Sequence, residues 1–388
     1  LSENLIVIFN FLLLLTFFNL RLSEIFIIFL LTSIILLILF RKIFFMLNEF
    51  KMILIFFIFL VFLFSLDLSY NLTLYWDGQT MWLPKAIMFY ENDVISDLKN
   101  FIRPEYPYLG SLIWAFFWKL SFLEYEYFGR ISFIICFCLS IVNLLELLKL
   151  KRVDHLSLSL IFILLIYTYW HFRGTQEILI FSFLLFSVKY LYLIIVENDL
   201  KIKNLIYFIL SINLIIWTKN EGLFFSIFLF ISYLLFSKYQ LKTRFFSSII
   251  FLLLILLRFT IYKFYNLNVG LSPDFQLNEI FNLLITNINL NNILFIFKHI
   301  FYSIIKFPFI LLSLLIFLFS IFEKKDIQKF RFVFVYLFLS ISFIIFIYFS
   351  SIKNLEFMVI TGLNRLVFES FAPILILTFP YVKSIYRK

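Results

Sequence analysis

Charge is scarce in this chain, and so are the residues that break regular structure. Of 388 residues only 14% are Asp, Glu, Lys or Arg, against about a quarter in soluble domains. Seven Gly and seven Pro are spread over the whole length. There is no Gly-rich phosphate loop and no alternation of strand and helix patterns, which excludes a nucleotide-binding α/β domain. An activated substrate, if there is one, is then not a soluble nucleotide. Cys136 and Cys138 are the only cysteines. They stand two apart in one apolar run, point to different sides of a helix, and have no nearby histidine with which to hold a metal. No internal repeat is present. The first apolar run follows Glu3 and not a basic cluster, with no small-residue cleavage site after it, so it reads as a retained helix and not a leader.

What is abundant is hydrocarbon. Apolar residues make up 63% of the chain, in runs long enough to cross a bilayer. An all-α, polytopic transmembrane bundle follows, as one integral membrane domain over residues 1–388. About twelve spans are expected, near 5–20, 24–40, 52–69, 128–148, 156–172, 175–196, 204–218, 222–237, 245–262, 300–322, 332–350 and 366–383. The 60 Phe read as lipid-facing and packing residues. A net charge of +10 does not point to nucleic acid, because the bases sit in short loops between apolar runs. Arg41, Lys42 and Lys51, then Lys149, Lys151 and Arg152, then Lys238, Lys242 and Arg244, then Lys324, Lys325, Lys329 and Arg331, and finally Lys383, Arg387 and Lys388 all belong on the cytoplasmic side. Residues 70–106, 171–174, 219–221, 263–295 and 351–365 then fall outside. The segment 107–122 breaks this parity if it crosses. Its Tyr106, Tyr108, Trp114, Trp118 and Lys119 suit a helix at or dipping into the outer interface.

One long polar interval stands out, YWDGQTMWLPKAIMFYENDVISDLKNFIRPEYPYL at 75–109. A loop of this length and charge is where chemistry is expected; residues 70–127 are read as an external catalytic loop carrying interfacial helices. Asp77 precedes a helix start near Thr80, with Pro84 in its first turn, so it is placed either to cap that helix or to serve as a general base or metal ligand. Arg173, Lys219 and Arg365 lie at predicted outer helix ends, against the positive-inside trend. Glu177, Glu221 and Glu369 stand within a turn or so of them, so the choice is between surface ion pairs and a phosphate-binding cluster. Lys306 is deep in its run, where a lysine costs roughly 2.5–3.5 kcal/mol. His171 reads as interfacial filler. His155, in a basic loop, and His299, at an outer helix start, have no partners that suggest a site.

The order YWDGQTMWLPKA, RPEYPYLGSLIWAFFW, Gly129–Arg130, HFRGTQEILIF at 171–181, WTKNEGL at 217–223 and TGLNRLVFESFAPIL at 361–375 resembles GT-C membrane glycosyltransferases. The nearest likeness is to bacterial members of glycosyltransferase family 39, the aminoarabinose and protein mannosyltransferase type, over roughly 52–380. Among the departures from the pattern, Gly78 follows Asp77 where an acidic pair is common, Gln176–Glu177 stand where Asp is usual, and two apolar runs precede the usual first helix. The resemblance implies a polyprenyl-phosphate sugar donor, a glycan, lipid or protein acceptor, and inverting transfer at the outer leaflet, without a nucleotide cofactor. By the same resemblance Asp77 acts as base or divalent-metal ligand and Glu177 as the second acid. Lys219, Arg365 and Arg173 hold the donor phosphate, and Lys85 and Glu221 are second-rank positions. The setting it implies is a bacterial inner membrane with the site facing the periplasm or exterior. The alternatives are a lipid-linked glycan polymerase or ligase, and a polytopic transporter or flippase.

Overall fold

The computed structural model describes residues 2–39, 47–168, 171–267, 280–322, 328–351 and 354–386. Arg41, Lys42, Lys324, Lys325, Arg387 and Lys388, which bore on the orientation above, lie outside the described residues.

Among the described residues every regular element is helical. Runs of Leu, Ile and Phe with few Gly or Pro satisfy their backbone groups within one segment only as helices. The chain runs α1 (Ser2–Thr16), α2 (Leu22–Leu39), α3 (Leu47–Tyr70), α4 (Leu83–Tyr90), α5 (Leu109–Leu120), α6 (Tyr127–Leu145), α7 (Arg152–Ile166) and α8 (Glu177–Ile195). It continues with α9 (Ile202–Ile216), α10 (Asn220–Phe236), α11 (Leu241–Phe264), α12 (Ile280–Asn287), α13 (Leu290–Lys306), α14 (Pro308–Phe322), α15 (Arg331–Ser350), α16 (Leu355–Ser370) and α17 (Phe379–Tyr386). Just past α1, α8 and α11 stand Asn19, Asn198 and Asn266 in the left-handed conformation. Asparagine tolerates that conformation, so it stops a helix where glycine is rare.

Among the described residues five helices are long and apolar enough to cross a membrane: α3, α6, α8, α11 and α15. The number rises to seven if two bent pairs each count once, α13–α14 with a bend of 90° and α16 with the turns after it at 44°. Twelve spans were expected from hydropathy, and this count reaches five to seven of them among the described residues. The apolar runs at 5–20, 156–172, 204–218 and 222–237 fold as helices of 15 to 17 residues, about 22–26 Å long against a hydrocarbon core of about 30 Å. The run 300–322 breaks at Phe307, ahead of Pro308. Residues 351–365, expected as an external loop, are helical from Leu355, because the Asn354 side chain accepts hydrogen bonds from the N–H groups of Glu356 and Phe357.

Helices α6 and α8 form the centre and are buried nearly all round. The outer faces of α3 and α11 carry exposed Ile55, Phe59, Phe62, Phe246, Leu253 and Phe259, the pattern of a lipid-facing belt. Helix α5, with 12 residues, is about 18 Å long. It is buried along Leu109–Phe116, which places it inside the protein between α4 and α6.

The two ends of α8 differ in chemistry. Beyond its C-terminus Glu197 pairs with Lys149 and Lys383, both at 3.2 Å; at the same end Lys189 pairs with Glu146 at 2.8 Å and Lys203 with Glu3 at 2.9 Å. Some 28 Å away along the axis, its first residue, Glu177, belongs to a different group of charges.

Candidate functional site

Four separate pieces of chain meet at that end. The segment 71–78 lies beside 172–176, where the Tyr75 N–H donates to the Arg173 carbonyl at 3.1 Å. Gly174 permits this approach: its φ is +80°, and a Cβ there would meet Leu74 at 2.8 Å and Trp114 at 2.9 Å. Buried Arg130 ties the same two segments together, donating to the Leu72 carbonyl at 3.0 Å and the Phe172 carbonyl at 3.2 Å while pairing with Glu126 at 2.9 Å. The third piece is the turn from α9 to α10, carrying Lys219 and Glu221; the fourth is the second half of α16, carrying Arg365 and Glu369.

Lys219 is the hub. Its Nζ lies 3.2 Å from Glu177 Oε1, 3.5 Å from Glu369 Oε2 and 3.9 Å from Glu221 Oε1. Burial opposes its charge, yet the three carboxylates raise its pKa above the ordinary lysine value, so it is a permanent cation. Arg365 bridges outward. Its guanidinium pairs with Asp77 and lies 3.5 Å from Glu177 Oε1. The side chains of Arg365 and Asp77 are 34% and 22% exposed, while those of Glu177 and Glu369 are 3% and 0%. The cluster therefore has an accessible mouth, Asp77–Arg365, backed by a closed floor, Glu177–Lys219–Glu369.

The ion pairs expected at the surface are thus mostly internal, and they join different helices. Asp77 is not a helix cap: its backbone is already helical at the start of the π-helical turn Gly78–Trp82, and its side chain makes no capping bond. Asp77, Glu177, Lys219, Glu221 and Arg365 are together. Arg173 is set apart, its guanidinium 3.3 Å from Asn71 Oδ1 and over the Tyr75 ring. Lys85 is also apart. It is buried, and its Nζ donates to the carbonyls of Arg103 at 2.8 Å and Tyr106 at 2.9 Å, holding the turn ahead of α5. Burial lowers the Lys85 pKa to about 7, with Glu105 opposing. His171, expected at the interface, is fully buried against Phe368 at 4.4 Å; burial lowers its pKa to about 3, with Glu177 opposing, so the ring is neutral.

Arg258 is a member that the sequence reading missed. From within α11 it donates to the Ile216 carbonyl at 2.8 Å and to Asn220 Oδ1, on either side of Lys219. A guanidinium within the apolar run 245–262 was the available signal, since a charge within a span is a functional candidate by default. Glu369 was read only as a counter-ion, yet it is fully buried and its Oε1 has no hydrogen-bond partner.

The acids are directed at bases and not at a common point. Among the described residues no three His, Cys, Asp or Glu side chains gather as metal ligands, and Asp77 shares its cation with Glu177. This donor set does not fit a resident divalent ion at Asp77. What the arrangement can do is present one carboxylate and one guanidinium to a visitor while a buried cation stabilises negative charge behind them. Compared with protein-family models, curated proteins and solved structures, the chain shows a significant match to none.

Proposed function

We propose that the chain is a membrane-embedded glycosyltransferase of GT-C type, moving a sugar from a polyprenyl-phosphate donor to a hydroxyl acceptor with inversion. The observation that carries the reading is the meeting of Asp77 with Arg365 over Glu177 and Lys219, at the opposite end of α8 from the basic cluster around Glu197. On this reading the shorter helices complete a bundle of about twelve crossings, and the site opens at the outer face of a bacterial inner membrane.

The donor phosphate takes Arg365 from Asp77, which frees the carboxylate. Asp77 removes the acceptor hydroxyl's proton as the acceptor oxygen bonds to the anomeric carbon from the face opposite the phosphate. The bond from that carbon to the phosphate oxygen breaks, and its electron pair leaves with the lipid phosphate. Arg365 meets the charge that builds there, with Lys219 behind it. Glu177 sets the positions of both cations. Arg173, on the neighbouring segment, is a second contact for the phosphate.

A transport reading is favoured by one feature, four carboxylates against two cations in direct contact, a balance suited to a proton- or cation-coupled carrier. The test is transfer of radiolabelled sugar from a panel of polyprenyl-phosphate sugars by the purified protein in lipid nanodiscs. Transfer by the wild type, reduced about 10²–10⁴-fold in Asp77→Asn with thermal stability kept, is the expected result. Undiminished transfer in Asp77→Asn, or no transfer from any donor alongside proton-coupled lipid movement in vesicles, overturns it.

A further inference from the structure

Helix α13 is more one-sided in its apolar residues than any other described helix. One strip consists of Leu290, Leu294, Phe297, Phe301 and Ile305, spaced by four, three, four and four residues. All five are exposed. The adjacent strip carries Asn291, Lys298, Tyr302 and Lys306, and the Lys298 ammonium lies 5.8 Å from the Tyr302 ring centre. Ile296, Ile300 and Ser303 form the inward face, and Ser303 donates to Asn364 Oδ1 at 2.7 Å, next to Arg365. The chain then turns through 90° at Phe307 into α14, whose exposed Leu311, Leu315 and Leu318 continue the apolar surface.

A vertical helix inside a bilayer has no use for a lysine strip beside an exposed leucine–phenylalanine strip. A helix lying flat at the boundary has use for both, with apolar residues down and amines and a tyrosine at the headgroups. The right angle to the apolar α14 gives the same orientation independently. We infer that α13 lies in the plane of the membrane at one interface, its outer strip seated on lipid. Phe307 and Phe368, 5.4 Å apart, tie the bend to α16 one turn from Arg365. The in-plane helix thus marks the depth of the Asp77–Arg365 mouth as that of the phospholipid phosphates. The placement of α13 stands on geometry alone; its meaning for catalysis, that the donor phosphate meets Arg365 without leaving headgroup level, rests on the glycosyltransferase reading.

Depth measurement tests the placement without any activity. Single cysteines at Leu294, Phe301 and Ile305, and at Leu311, Leu315 and Leu318 as the crossing control, are spin-labelled in the full chain; Cys136 and Cys138 are buried. The protein is reconstituted in vesicles of phosphatidylethanolamine and phosphatidylglycerol, and label depth is read by power saturation with oxygen and a nickel chelate. The expected result is one depth for the three α13 labels, about 5–10 Å below the headgroups, and a steady gradient along α14. A fall of about 16 Å from 294 to 305, or three labels at the bilayer centre, overturns the inference. A flat profile in a protein that transfers no sugar leaves α13 in the interface and removes only the catalytic meaning.

Discussion

Asp77 and Arg365 stand 288 positions apart in the chain and meet as carboxylate and guanidinium, at the accessible edge of a cluster whose floor, Glu177, Lys219 and Glu369, is closed to solvent. Because both side chains keep some contact with water, the pair contributes little as a fixed link, on the order of 1 kcal/mol or less. That is the condition under which a visitor can part them. A double-mutant cycle of Asp77→Asn and Arg365→Gln, read by thermal unfolding in detergent, should give a coupling of about 1 kcal/mol or below. A coupling of 3 kcal/mol or more would make the pair a structural bolt.

Lys219 behaves differently, because it is the cation among Glu177, Glu221 and Glu369. Lys219→Met leaves buried carboxylates without their shared partner and should cost about 3–5 kcal/mol. Adding Glu177→Gln and Glu369→Gln should restore much of that stability without restoring activity. If Lys219→Met unfolds at the wild-type temperature, the cluster is not electrostatically closed.

The α9–α10 turn that presents Lys219 is tight. A Cβ on Gly222 would sit 2.2 Å from the Ile215 carbonyl oxygen, a backbone atom that cannot swing aside. Gly222→Ala should therefore cost about 1–3 kcal/mol and shift Lys219. Wild-type stability in this variant, measured by chemical denaturation, would show that the turn yields freely.

Lys85 gives a pH dependence with a definite sign. Burial lowers its pKa from 10.5 to about 7, so between those values the unfolded chain holds a proton that the folded chain does not. Folding stability on this account rises with pH from about 7 to about 10.5, and the penalty is fully present below 7. Lys85→Met should flatten that rise while loosening the turn at 103–106, whose carbonyls lose their donor. Melting curves at pH 6.5, 8 and 9.5 for both proteins decide it; identical slopes would place the titration elsewhere.

Arg130 is a positioning residue, tying the segment before Asp77 to the segment before Glu177. Arg130→Lys keeps the charge but loses the fork that reaches two carbonyls at once. Amide exchange at 71–76 and 172–176 should speed up at least tenfold, while exchange in the core of α8 stays as it was. Faster exchange everywhere would mark a general loss of stability.

The all-helical class, with several helices long and apolar enough to cross a membrane, was legible in composition, and most helices lie where apolar runs were counted. What hydropathy could not supply was where a run stops being one helix. Phe307 and the Ala372–Thr378 turn break runs that read as continuous, and Asn354 starts a helix where moderate polarity read as loop. At the site, charges placed against the positive-inside trend pointed to Lys219 and Arg365, and the long polar interval pointed to Asp77. Pairing was not legible, because it is set by which helices pack: Lys219 lies beside Glu177 through the packing of α9 on α8. Lys85 and Arg258 differ in how their surroundings relate to the sequence reading. The first was weighed for chemistry and holds a turn; the second was passed over inside an apolar run and sits beside Lys219.

The four pieces of the cluster are far apart in the order of synthesis. Asp77, Glu177 and Lys219 are made long before Arg365 and Glu369. While the chain is growing, the carboxylates outnumber the only cation yet available to them at contact distance, and Asp77 has no guanidinium to meet. Arrival of α16 is therefore the event that brings Arg365 to Asp77, and a chain stopped before residue 365 leaves that carboxylate without its guanidinium.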